Sequence, residues 1–168
     1  MTPPATTSAP MRLLSQLDGE FAIYAWQAVA VLAWEGPLTV AGVGHMDAAL
    51  AALSALQSPI SIVHMLRGRT DLPGAEVRAA MERLSKTHEH AIACTAILDD
   101  SQGFVAGAIK AVITGVALLA RVRLEIRLFS DLDSLAAWLV AMHEKRSGVQ
   151  LNLVELRGVL QTIARAHP

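Results

Sequence analysis

The stretch that decides the fold is FAIYAWQAVAVLAWEGPLTVAGVGHMDAALAALSALQSPISIVHML, residues 21–66. Its first part, Phe21 to Trp34, carries no charge and is rich in valine, alanine and aromatics, and Glu35-Gly36-Pro37 ends it with strong breakers. It reads as two short strands, about 21–25 and 28–34, with no Gly, Asn or Pro to mark the turn between them. Thr39 to Gln57 then places Val43, Met46, Leu50, Leu53 and Leu56 three and four apart, the spacing of a helix that buries one face. Ser58-Pro59 stops that helix. Ile60 to Leu66, short, apolar and partly β-branched, reads as a buried strand.

The alternation continues outward. Pro73 suits a helix start, and Ala75 to Thr87 sets Val77, Ala80, Met81 and Leu84 against a charged opposite side. Ala91 to Leu98 reads as a third buried strand, and Asp99-Asp100-Ser101 offers N-cap chemistry for a helix over 103–120 that is apolar nearly all round. Val122 to Leu128 alternates strictly, the mark of a half-exposed strand. Ser130 and Asp133 suggest a capping box for a helix carrying Leu135 and Leu139. After Ser147-Gly148, Val149, Leu153, Leu156, Leu160 and Ile163 form an amphipathic seam. Strands alternating with helices predict an α/β fold: a mixed, mostly parallel sheet of about five strands with helices packed on it. The expected division is a flexible leader over 1–19, the α/β domain over 20–144, and an extra C-terminal amphipathic helix over 145–168, docked on the domain or on a partner.

Composition narrows the function classes. Hydrophobic residues make up 53% of the chain, yet Ser58-Pro59 interrupts the long uncharged stretch near mid-chain, so no membrane span is expected. The first ten residues have neither a basic region nor an apolar run, so no signal peptide is read and a cytoplasmic location is expected. The net charge of −1 and the absence of a basic block argue against nucleic acid as a partner. The single cysteine, Cys94, excludes an internal disulfide and reads as a small buried hydrophobe.

The element order, with its leading hairpin, resembles STAS domains, which include the anti-sigma-factor antagonists; the resemblance covers about residues 20–144. Members of that family carry an Asp-Ser-Ser-Gly-like phosphoacceptor motif between the third strand and its helix. Here the stretch is Arg67-Gly68-Arg69-Thr70-Asp71-Leu72-Pro73: the motif is absent and Thr70 is its one hydroxyl. Asp100-Ser101-Gln102-Gly103 looks like the motif but falls one strand later, so Thr70 and Ser101 are the phosphoacceptor candidates that the resemblance implies. Trp34-Glu35-Gly36-Pro37, the segment Thr114 to Arg121 and Ala136-Ala137-Trp138-Leu139 also look like small uncharacterised bacterial proteins of this plan.

In parallel α/β folds, ligands collect beyond the carboxyl ends of the strands. That rim would hold Glu35, Arg67, Arg69, Asp99, Asp100 and Ser101. Glu35 with the Asp pair has the oxygen chemistry a divalent ion prefers, but Asp100 and Ser101 are explained by helix capping, so no metal or cofactor is expected. His88 and His90 lack the third ligand that zinc requires. His64 reads as a neutral, hydrogen-bonded core histidine, and Ser61, three residues away, points to the opposite strand face and cannot pair with it. No catalytic residue is assigned, because nucleotide-binding, nucleophile-elbow and zinc-protease patterns are all absent. The expected function is a non-catalytic protein-interaction or regulatory module that docks a protein partner or a second copy through helix 103–120 or helix 149–166. The alternative is a small-ligand binder or enzyme that uses the rim residues. A lipid-surface module is disfavoured, because the last helix carries only Arg157 and Arg165 as cations.

Overall fold

A computed structural model describes residues 9–66, 73–99 and 124–167. Among them are β1 (Arg12–Leu17), β2 (Phe21–Trp26), β3 (Val29–Trp34), α1 (Val40–Leu56), β4 (Ile60–Leu66), α2 (Ala75–His88), β5 (Ile92–Asp99), β6 (Ile126–Phe129), α3 (Leu132–Ser147) and α4 (Leu153–Ala166). The strands form a single sheet in the order β1-β2-β3-β4-β5-β6. β1, β2 and β3 meander antiparallel, and β3 through β6 run parallel. The expected mixed, mostly parallel α/β sheet is therefore present, with one strand more than anticipated.

That extra strand is β1, which lies in the stretch expected to be a flexible leader. Asp18-Gly19 turns the chain back onto β2, with Gly19 in the left-handed region at φ 75°, where glycine has no steric cost. The strand is largely exposed, so it lacks the apolar alternation by which a strand is read from sequence. The β2–β3 turn carried no turn signal because Gln27, at φ 47°, takes the left-handed position that Gly or Asn usually fills.

Helices cover both faces of the sheet, so β3 is buried along its whole length and reads as a continuous apolar run. Ala30, Leu32 and Trp34 face α1 and α2, together with Val43, Met46, Leu50, Leu53, Ala80 and Leu84. Val29, Val31 and Ala33 face α3 and α4, together with Leu135, Leu139, Leu156, Leu160 and Ile163. Thr39 caps α1 through its hydroxyl to the Gly42 N–H, and its own N–H and hydroxyl donate to the Glu20 carboxylate. Gly36 passes so close to the Gly19 carbonyl that a side chain there would collide with it. These contacts tie the first hairpin to the start of α1.

Two boundaries differ from expectation. Asp131, not Ser130, caps α3: its carboxylate accepts from the Ser134 N–H at 2.7 Å, which holds Asp131 below the usual carboxylate range. Residues 149–152 precede the last helix because the Asn152 side chain accepts from the N–H groups of Val154 and Glu155, starting α4 there. Val149 is accordingly exposed rather than part of the seam. That seam is not a free docking surface, since Leu156, Leu160 and Ile163 are fully buried in the domain's own core. The helix expected over 103–120 lies outside the described residues.

Candidate functional site

Of the expected rim residues, Glu35 and Asp99 are described; Arg67, Arg69, Thr70, Asp100 and Ser101 are not. Glu35 follows β3 and turns toward the end of α4, where its carboxylate lies 2.6 Å from His167 Nδ1. His167 Nε2 in turn lies 2.8 Å from the Tyr24 hydroxyl. Burial, with the Glu35 charge as a second cause, raises the Tyr24 phenol above its ordinary range, so this chain of groups holds a neutral phenol, not an activated one. Its effect is to pin the end of α4 to the sheet. Asp99 ends β5 level with Leu66 and is 5% exposed. The structure does not bring Glu35 and Asp99 together: β4 stands between their strands, and neither lines either of the pockets below.

Ser61 has a partner that sequence reasoning missed. It points away from His64, as expected, and its hydroxyl lies 2.8 Å from Nδ1 of His143, on α3, and 3.2 Å from the Cys94 sulfur. The serine and histidine are 82 positions apart, so no local motif signals the pair. All three side chains are fully buried. Burial lowers the His143 pKa and pushes the Cys94 thiol up to about 11, so the imidazole is neutral and the sulfur protonated at physiological pH. His143 Nε2 has no partner; a bare lone pair there costs less than an orphaned N–H, which assigns the proton to Nδ1. His143 then donates to Ser61 and cannot serve as its base.

On the opposite face, His64 is the polar member of an apolar pocket. Trp34 Nε1–H donates to His64 Nδ1 at 3.1 Å, and the two rings stack at 18°. An indole N–H can only donate, so Nδ1 is the acceptor and the imidazole proton resides on Nε2. Burial pushes the His64 pKa down to about 4, leaving it neutral at pH 7. The pocket, about 70 Å³, lies between the sheet and helices α1 and α2; besides His64 it is lined by Leu50, Ile62, Met81, Ser85 and Thr95, among others.

A second, open groove of about 370 Å³ runs between α1 and α2, with Val40, Val43, Ala80 and Leu84 as its apolar part and Asp47, Arg83 and Thr87 at its rim. Asp47 accepts from, or pairs with, His88 Nε2 at 2.7 Å, so His88 is a buried tether between the helices, not a polar helix end. Exposed His90 lies against its neighbour Glu89. Among the described residues no three His, Cys, Asp or Glu side chains converge on one point as metal ligands would.

Sheet order, helices on both faces and the three-strand meander at one edge define an α/β domain of the SpoIIAA-like, that is STAS-like, class. A solved structure shows the same plan: an uncharacterized protein of the DUF3478 family with a SpoIIAA-like fold from Shewanella loihica PV-4. It is 22% identical over 74% of this chain and 97% of that chain, with a TM-score of 0.53. No family model and no curated protein matches the chain. Among the described residues no helix is long and apolar enough to cross a membrane.

Proposed function

We propose that this chain is a non-catalytic protein-interaction module, regulatory in role and cytoplasmic, that associates through the outer face of α1. One observation carries the reading. The 17 residues of α1 contain no Lys, Arg or Glu, and only His45, Asp47 and Ser54 among them are polar, yet the outer half of the helix lies in solvent. A helix of that composition is normally covered on all sides. Val40 is 46% and Leu56 69% exposed, and between them Ala41, Gly44, Ala48, Ala51 and Ala55 recur at intervals of three and four directly opposite the buried face. The few polar side chains of α1 turn to partners within the chain: His45 to Ser15, Asp47 to His88, and Ser54 to the Ala51 carbonyl. The outer face therefore presents almost no free charge.

The occupant is a second copy of the chain. The small residues are arranged nearly symmetrically about Ala48, so an antiparallel two-fold pairing sets small against small along the whole contact. A stable dimer buries about 800 Å² on each partner, more than one helix face supplies. The contact therefore extends into the adjoining α1–α2 groove, which already shares Val40 and Gly44 with that face. The non-catalytic part of the reading is supported by the sealed Ser61–His143–Cys94 cluster, whose protonation is wrong for nucleophilic attack.

The test is light scattering across a concentration series for the wild type and Ala48→Glu. The substitution sits on an exposed helix position that tolerates glutamate, so folding is unaffected. A wild-type dimer and a monomeric variant with unchanged circular dichroism support the reading. A wild-type monomer at every concentration overturns it, as does a dimer that Ala48→Glu leaves intact.

A further inference from the structure

Leu56, the last residue of α1, is 69% exposed, more than any other large apolar side chain of that helix. We propose that it anchors the association: the leucine of each copy seats on the amino end of the partner's α1, against Leu38, Val40 and Ala41. The inference rests on the pairing through α1 argued above and adds to it a direction and a principal contact.

Two observations set the direction. No basic side chain lies in the last turn of α1, so none offsets the negative end of the helix dipole. An antiparallel partner brings the positive, amino end of a second α1 to that place, whereas a parallel partner brings another negative end. The second observation is the placing of the large side chains. A two-fold axis at Ala48 sets each residue level with the one equally distant on the other side: Ala41 with Ala55, Gly44 with Ala52, and Val40 with Leu56. The two exposed large side chains of the helix therefore come level at each end of the contact, and small residues fill the middle. Small residues let the axes approach to about 8 Å, a spacing across which a flanking leucine reaches the partner's first turn.

The receiving surface suits a leucine. Residues 37–44 carry no charged side chain, so an apolar group arriving there strands no charge. Thr39, the one polar side chain among them, is turned inward by its bonds to Glu20 and to the Gly42 N–H. Leu38 is partly buried against the core beneath α1, with exposed Val40 and Ala41 beside it in the chain. One large apolar side chain among small, near-neutral contacts is the usual distribution of binding energy in an interface.

The test measures the dissociation constant by sedimentation equilibrium for the wild type and Leu56→Ala. Alanine is a strong helix former at an exposed position, so the fold is unaffected. The constant is expected to rise about ten- to hundred-fold, since two leucine contacts are lost per dimer. Oxidation by diamide of an equimolar mixture of Leu56→Cys and Ala41→Cys is expected to give the mixed disulfide, and Leu56→Cys alone none; Cys94, being buried, takes no part. The inference is overturned if Leu56→Ala associates as tightly as the wild type, if the mixed disulfide does not form, or if Leu56→Cys links to itself, the mark of parallel helices. Any of these leaves the α1 reading standing as long as the wild type is a dimer and Ala48→Glu a monomer. A wild type that is monomeric at every concentration removes both.

Discussion

Acid should destabilise the protein through His64, and the size of the effect follows from the structure. In the unfolded chain the imidazole titrates near its ordinary value of 6.5, whereas in the folded chain burial pushes it down to about 4. Above pH 6.5 both states hold a neutral ring, and the full stability is present. As the pH falls below that point the unfolded chain takes up a proton that the native chain refuses, so stability declines until the native ring titrates near 4. At 1.36 kcal/mol for each pH unit, the interval corresponds to about 3 kcal/mol. Urea unfolding at about pH 7, 5 and 4 measures it when wild type and His64→Leu are compared, the difference between them being free of groups that titrate alike in both. The His143 pKa is lowered by burial in the same direction, and that effect cancels in the comparison because both proteins retain the residue. Leucine removes the acceptor of the Trp34 N–H at every pH, a constant offset that does not alter the slope. The expected result is a wild type that loses about 3 kcal/mol more than the variant between pH 7 and 4. Parallel losses in the two proteins would show that His64 titrates freely and that its Trp34 bond is not the one described.

Three further outcomes are expected. Leu160→Ala should cost about 2–5 kcal/mol in urea unfolding, because Leu160 is fully buried against the sheet; a negligible cost would mean that α4 is an appendage, not part of the core. Gly36→Ala should destabilise by about 1–3 kcal/mol, since the new methyl meets the Gly19 carbonyl, whereas Gly44→Ala, with open space at that position, should stabilise α1 slightly in the same assay. Cys94 should resist thiol reagents in the native state and react at once in denaturant, because its thiol is fully buried and its pKa is pushed up to about 11.

Much of the fold was legible because its signals are local. The strands β2 to β5 and the helices α1 and α2 fall within one or two residues of their expected positions, since apolar periodicity lies inside each element and the Gly-Pro and Ser-Pro breakers fall between α1 and its neighbouring strands. The errors arise where a local rule met a competing one. β1 is only partly buried, with Leu14 and Leu17 against the core, and lacks an alternating pattern to read, although Asp18-Gly19 is a hairpin signal. The seam that begins at Val149 keeps its spacing, but Asn152 caps the helix after it and leaves Val149 outside. The sites were less legible. His64 as a neutral core histidine was readable from its apolar neighbours, but its acceptor role toward Trp34, from another strand, was not. The Ser61–His143 pair and the Glu35–His167–Tyr24 chain join residues far apart in sequence, and only the fold brings them together.

The two faces of the sheet place their polar groups differently. Against α3 and α4 the Ser61, His143 and Cys94 side chains bond to one another in a sealed core, with His143 Nε2 left over, and the last helix is pinned at its end by Tyr24, His167 and Glu35. Against α1 and α2, His64 accepts from Trp34 beside a small cavity, and a charge-poor helix leaves its outer half in solvent. Packing that served stability alone would favour a filled cavity and charged residues on the outside of α1, since both are readily reached by single substitutions. The absence of charge along the outside of α1 is the ground on which association through that helix is proposed.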